Sequence, residues 1–211
     1  MKYIILYGAA VIITCLGSGM FCLAAQETKM EIPWKWFWTM AVCNMITAFF
    51  LQYVYAAETS SVLKYLLLCI VLWICAWTDY KKYLILNRIL AVALIVRIIW
   101  LAAEFCIFGI PEMKYIIISA LAAAAMLAAA SLLCKAAVPG SVGFGDIKLL
   151  LVMGLYTGTE LAVEIMIYTF LILFLVSVVL LILKKVSRKT VIPFAPFLLV
   201  GAVLTPFLTG I

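Results

Sequence analysis

Residues 69–79 read CIVLWICAWTD, ten positions without a charge and then an aspartate. A run this apolar shows no polar face to water, and it ends on a group that lipid penalises. The rest of the chain has the same character. Of 211 residues, 69% are hydrophobic and 11% charged, and the mean hydropathy is +1.31. A soluble domain is about half apolar and a quarter charged, so the solvent for this chain is lipid. About 20 apolar residues span a bilayer as a helix. Outward from residues 69–79, eight membrane segments are expected, roughly 3–25, 34–57, 62–78, 84–108, 114–137, 146–158, 160–183 and 191–210. The expected fold is all-α, a polytopic transmembrane helical bundle of about eight membrane segments with no soluble domain. Residues 1–60 supply two N-terminal helices and residues 61–211 a core of about six segments. The first run has only Lys2 before a long apolar stretch, which reads as a retained helix and not as a signal peptide.

The net charge of +6 does not point to nucleic acid. The basic residues sit in short gaps between apolar runs, where they act as topology signals and touch lipid headgroups. One set of loops holds Lys29, Lys35, Lys81, Lys82, Arg88, Lys135, Lys148, Lys184, Lys185, Arg188 and Lys189; the other, with the amino terminus, holds Lys2, Lys64 and Lys114. Eleven against three assigns the first set to the cytoplasm. Seven cysteines without a C-x-x-C pair, and no histidine, argue against a zinc site. Most of the cysteines lie in apolar runs as small hydrophobes. No metal or cofactor is expected. The alanine-rich stretch Ala120–Ala130 suits close helix packing.

The chain has two aspartates, Asp79 and Asp146, both at the same expected membrane face. Carboxylates in membrane segments are costly and usually functional. A close carboxyl pair shares a proton and can hydrolyse a peptide bond, one member acting as base on a water and the other as acid. A helix starting near Asp146 favours its charged form, which makes it the slightly better base; the pair titrates as a unit and neither role is fixed. Gly143 and Gly145 bracket Phe144 just before Asp146. Glycine permits positive φ and a close backbone approach. The sixth segment is short, with Gly143, Gly145, Gly154 and Gly158 around it, which suggests a site or a tilted, partly inserted helix.

Gly143-Phe144-Gly145-Asp146 followed by Ile147-Lys148-Leu149 resembles the GxGD signature of the type IV prepilin peptidase family. The family's other catalytic aspartate is similar to Asp79, which precedes a basic stretch and then Ile85-Leu86-Asn87; Leu86 stands where the family usually has proline. Ile192-Pro193-Phe194-Ala195-Pro196-Phe197-Leu198 resembles its proline-phenylalanine segment. Together these motifs cover roughly residues 75–200. The resemblance implies an aspartyl endopeptidase of the cytoplasmic membrane. It would cleave prepilin or pseudopilin precursors, with a basic leader before a hydrophobic helix, at the cytoplasmic side and commonly after a glycine. Asp79 and Asp146 would be catalytic; Gly143, Gly145, Lys148, Asn87, Pro193 and Pro196 would support them or bind substrate. Longer members carry a cytosolic region with paired cysteines that accompanies methylation. Here only residues 26–33 join the first two helices, so cleavage without methylation is expected. Gly17-Ser18-Gly19-Met20-Phe21 resembles the family's amino-terminal pattern. Short members of this kind often serve tight-adherence or competence-type pili.

Other residues carry smaller expectations. Arg97, in the fourth segment, could pair with Glu104 or orient a helix. Asn87 either hydrogen-bonds near the acid pair or caps the fourth helix. Lys148 points away from Asp146, toward headgroups. Pro193 and Pro196 kink or delay the last helix. Glu27 and Glu31 could attract a basic leader, and Trp34, Trp36, Phe37 and Trp38 anchor the interface. Two rival readings use the same acids: a proton- or ion-coupled transporter, which would show paired half-helices from inverted repeats, and an inactive pilus-assembly protein.

Overall fold

Lipid offers the backbone no hydrogen-bond partners, so each apolar run must satisfy its own amides as a helix. The computed structural model describes residues 2–31, 34–138, 142–184 and 192–209, and no strand occurs among them. The helices are α1 Lys2–Thr28, α2 Trp34–Tyr53, α3 Thr59–Lys82, α4 Asn87–Ala137, α5 Phe144–Ile182 and α6 Ala195–Leu208. Pro33, Lys185, Arg188 and Lys189, which entered the loop and charge readings, lie outside the described residues.

Helices α4 and α5 are each broken at one glycine. Gly109 and Gly158 both have φ 76° and ψ −178°, a region essentially reserved for glycine. The breaks are reversals. Arg97 bonds the Leu155 carbonyl, and Ser119 bonds Thr159. In a straight helix Arg97 and Ser119 would lie roughly 33 Å apart, yet both touch one short stretch of α5. Asp146 and Leu173, about 40 Å apart along a straight helix, line one cavity. Helices α4 and α5 are therefore hairpins, with arms 87–108 and 110–137, and 144–157 and 159–182. Counted this way, the helical segments follow the expected ones closely.

The chain is a polytopic helical membrane protein, but helical segments outnumber clear spans. Among the described residues four helices are long and apolar enough to cross a bilayer, Thr59–Lys82, Asn87–Cys106, Gly109–Ala137 and Phe144–Ile182, and α6 is a shorter apolar helix. At 1.5 Å per residue, α6 and the 144–157 arm each reach only about 20 Å, less than the hydrocarbon thickness.

Helix α3 is the axis of the bundle and contacts every other helix. Its Leu68, Leu72, Ile74 and Trp77 are fully buried. Phe21 of α1 meets the Trp77 ring at 5.9 Å, and the Tyr65 hydroxyl donates to the Ala202 carbonyl of α6. Lipid tails are as apolar as the side chains, so helix association relies on close approach at small residues. Gly17 admits Ile70 and Met40, each 3.1 Å from where its Cβ would stand. A Cβ on Gly154 would lie 2.7–2.8 Å from the backbone of Ala123 and Ala124, within the alanine-rich stretch. We expect Gly154→Ala to lower stability by about 1–3 kcal/mol through overpacking. Gly19→Ala, which meets nothing within 4 Å, should leave the melting temperature in detergent within about a degree of native, as expected of an exposed site. Equal melting of the two variants would contradict this packing.

Among the described residues, members of the two charge sets lie at opposite ends of α3. At one end Lys82 donates to the Thr28 carbonyl, Arg88 approaches Glu27 at 3.9 Å, and Lys135 stands over the Phe144 ring. Lys64 lies at the other end of α3, about 27 Å away along the helix. The aromatic cluster divides: Trp34 and Trp38 are exposed, while Trp36 turns inward onto Trp73 and Tyr80.

Candidate active site

Asp79 occupies the last turns of α3, where Lys81 and Lys82 complement the negative end of the helix. Tyr83 then leaves the helix at φ 53°, its N–H donating to the Asp79 carbonyl at 2.8 Å. The Asp79 side chain is buried, and its Oδ2 accepts the N–H of Ala195 at 2.9 Å. Ala195 opens α6, so Asp79 sits at a helix N-terminus, where orphan amides and the dipole favour an anion. This explains the proline-phenylalanine segment. Pro193 precedes the N-cap Phe194, and Pro196, at the start of the helix, brings no amide of its own to compete.

Asp146 stands in the first turn of α5, where its Oδ2 accepts the Gly143 N–H at 3.2 Å. Of the two properties glycine offers here, positive φ is not used: Gly143 has φ −73°, and neither Gly143 nor Gly145 has a positive φ. The requirement is space. A Cβ on Gly143 would lie 3.0 Å from Asp146 Oδ2, and one on Gly145 would lie 3.0 Å from Ile85 Cβ. The bare Gly145 therefore lets the chain leaving Asp79 rest on the turn that carries Asp146. Ile85 follows Asp79 by six residues and lies against Gly145, next to Asp146, so the two carboxyls belong to the same end of the bundle. Cys75, one turn before Asp79 on α3, is buried in the apolar core, as expected of a cysteine that packs as a small hydrophobe.

The supporting residues divide. Lys148 Nζ donates to Asn87 Oδ1 at 2.9 Å, tying the start of α5 to the start of α4. Leu86, not Asn87, is the N-cap of α4, so Asn87 does not cap its helix. The substituted Leu86 is buried, its apolar side chain packed into the core. Glu27 lies beside Arg88. Arg97 pairs with Glu104 at 2.9 Å, about 15 Å along the first arm of α4 from Asn87. Among the described residues no group of three or more Cys, Asp or Glu could hold a metal ion.

A cavity of about 470 Å³ opens beside Asp146, lined mainly by apolar groups including Leu127, Leu150, Met166, Phe170 and Phe194, with Ser131 among them as a polar side chain. It lies between the second arm of α4 and both arms of α5. One wall includes Phe170, which is half exposed on the outer face of the bundle. The arrangement offers two carboxyls for acid–base work next to an apolar trough.

The model of the type IV leader peptidase family matches residues 66–184, more than half of the chain. Comparison with curated proteins and with solved structures finds no match.

Proposed function

Because the chain belongs to the type IV leader peptidase family, we propose that it is an aspartic endopeptidase removing the leader of a prepilin-like precursor, with Asp79 and Asp146 as its catalytic pair. What supports this reading is that the turn carrying Asp146 packs on Ile85, six residues after Asp79, and that Phe194, beside the amide Asp79 holds, lines an apolar cavity with Asp146. Each aspartate also holds a backbone amide. One carboxylate takes a proton from water as the water oxygen attacks the scissile carbonyl. The other, protonated, donates to the carbonyl oxygen. As the C–N bond breaks, a proton passes to the leaving amine. The pair needs no metal for these steps.

The excess of basic residues in the loops around this end assigns it to the cytoplasmic face of the cell membrane. A precursor's basic leader would lie at that face and its hydrophobic helix in lipid. The apolar cavity is open to the outer face of the bundle and suits such a helix. Short loops and the absence of a C-x-x-C pair favour cleavage without methylation, and no cofactor is needed.

The test is co-expression in membranes with a pilin-like precursor, leader loss being followed by gel shift. If the cavity seats the precursor's apolar helix, Ser131→Trp should lower kcat/KM about 10-fold or more, a loss of roughly 1.4 kcal/mol of binding. It should act mainly through KM. Unchanged cleavage by a folded Ser131→Trp variant would show that the precursor docks elsewhere.

A further inference from the structure

The arm bearing Asp146 ends abruptly. In an unbroken helix the Leu155 carbonyl would accept the N–H of Thr159. The reversal at Gly158 diverts that amide to Ser119 Oγ at 3.1 Å, leaving Leu155 among the orphan acceptors of a helix end. The Arg97 Nε–H takes its place, donating to the Leu155 carbonyl at 2.8 Å. The guanidinium also lies 5.8 Å from the Tyr156 ring centroid, and the Tyr156 hydroxyl donates to the Ala93 carbonyl at 2.7 Å. A cation at a helix C-terminus is favoured by the dipole.

Arg97 is itself held. It is 2% exposed, and its Nη1 meets Glu104 Oε2 at 2.9 Å, while Glu104 Oε1 lies 3.4 Å from Lys64 Nζ. Lys64 lines a polar cavity of about 310 Å³ with Ser119, Thr159 and Glu160, so it keeps access to other polar groups. The 144–157 arm is thus fastened to the first arm of α4 at both ends, by Lys148 on Asn87 near Asp146 and by Arg97 on Leu155 at the far end.

We propose that Arg97, anchored by Glu104, is a positioning residue that clamps the C-terminal end of the 144–157 arm and so sets where Asp146 stands relative to Asp79. The inference rests on the reading of Asp146 as catalytic. The arm is one short helix of about 20 Å, so freeing its far end lets it tilt or slide as a unit. A displacement of about 1 Å at a reacting group can cost 10²-fold in rate.

The test compares Arg97→Met, Tyr156→Phe and the double variant Arg97→Met/Glu104→Met, each purified in detergent and assayed with a pilin-like precursor. Arg97→Met leaves the buried Glu104 with Lys64 alone at 3.4 Å; the double variant removes that carboxylate and should fold, since Lys64 borders a polar cavity. The expected result is a kcat about 10- to 100-fold below native in both Arg97 variants, with KM within about twofold. The pH–rate profile should also shift its limbs, because the macroscopic titration of a carboxyl pair depends on its spacing. The charged groups around the start of α5, namely Asp79 at the end of α3, Lys135 over the Phe144 ring and Lys148 on Asn87, are unchanged in every variant. Tyr156→Phe should shift the same limbs with a smaller loss of kcat.

Amide hydrogen exchange supplies a readout independent of activity. Residues 148–157 should exchange faster in the Arg97 variants, while α3 and the first arm of α4 do not. Full recovery of kcat with the fold in the double variant, or unchanged exchange over 148–157, would overturn the clamp. Cleavage by the Asp79→Asn or Asp146→Asn controls would instead overturn the catalytic reading, and the exchange comparison would still decide whether Arg97 clamps the arm.

Discussion

Asp79→Asn and Asp146→Asn should each reduce leader cleavage by about 10²- to 10⁴-fold or more, the range in which a positioned acid or base contributes, without unfolding the bundle. The fold should survive because both carboxyls also serve as hydrogen-bond acceptors. Asp79 Oδ2 receives the Ala195 amide and Asp146 Oδ2 the Gly143 amide. An asparagine oxygen can accept the same bonds, so the amide at each position removes proton transfer and leaves the acceptor. The losses should not multiply in the double variant, because the two groups act as one unit. The measurement is precursor processing in membranes, with the amount of folded enzyme followed in parallel. Processing by either variant at the native rate would assign cleavage to another protease and reopen the transporter and assembly readings.

Gly158→Ala should combine a backbone cost with a collision. Its φ of 76° with ψ of −178° costs any other residue about 1–3 kcal/mol. In addition, the new Cβ would stand 2.7 Å from Ser119 Oγ, the atom that holds the Thr159 amide. Gly109 is a natural control. It has the same φ and ψ in α4, but a Cβ there meets nothing within 4 Å. Gly109→Ala should therefore show the backbone cost alone, and Gly158→Ala that cost plus the collision, with a lower melting temperature and weaker cleavage. Adding Ser119→Gly to Gly158→Ala should relieve the collision but leave the backbone cost and the Thr159 amide without its acceptor. If Gly158→Ala melted with the native protein, the reversal at that residue would be wrong.

The fold class and the candidate acids were legible in the sequence for local reasons. Lipid leaves an apolar run only the helix as a way to satisfy its amides. Helical segments therefore follow from apolar length, and breaks from glycine, as at residue 158. Two aspartates in a charge-poor chain stand out because lipid makes each costly. The Arg97–Glu104 pair was readable because a buried cation needs an anion two turns along the same helix.

Which surfaces meet was not legible. These helices are apolar on nearly every side, so periodicity marks no inward face. Contacts are chosen instead by where backbones can approach, as at Gly154 against Ala123 and Ala124 and at Gly145 against Ile85. Only the tertiary structure put Asp79 on the first amide of α6 and Lys148 on Asn87. It also brought Arg97 to the Leu155 carbonyl. The sequence by itself determined that this chain is a helical membrane protein with two acids to explain. The tertiary structure decided how those acids are held, because the atoms that hold them are backbone groups freed at helix ends, and no residue type announces which helix end another helix will reach.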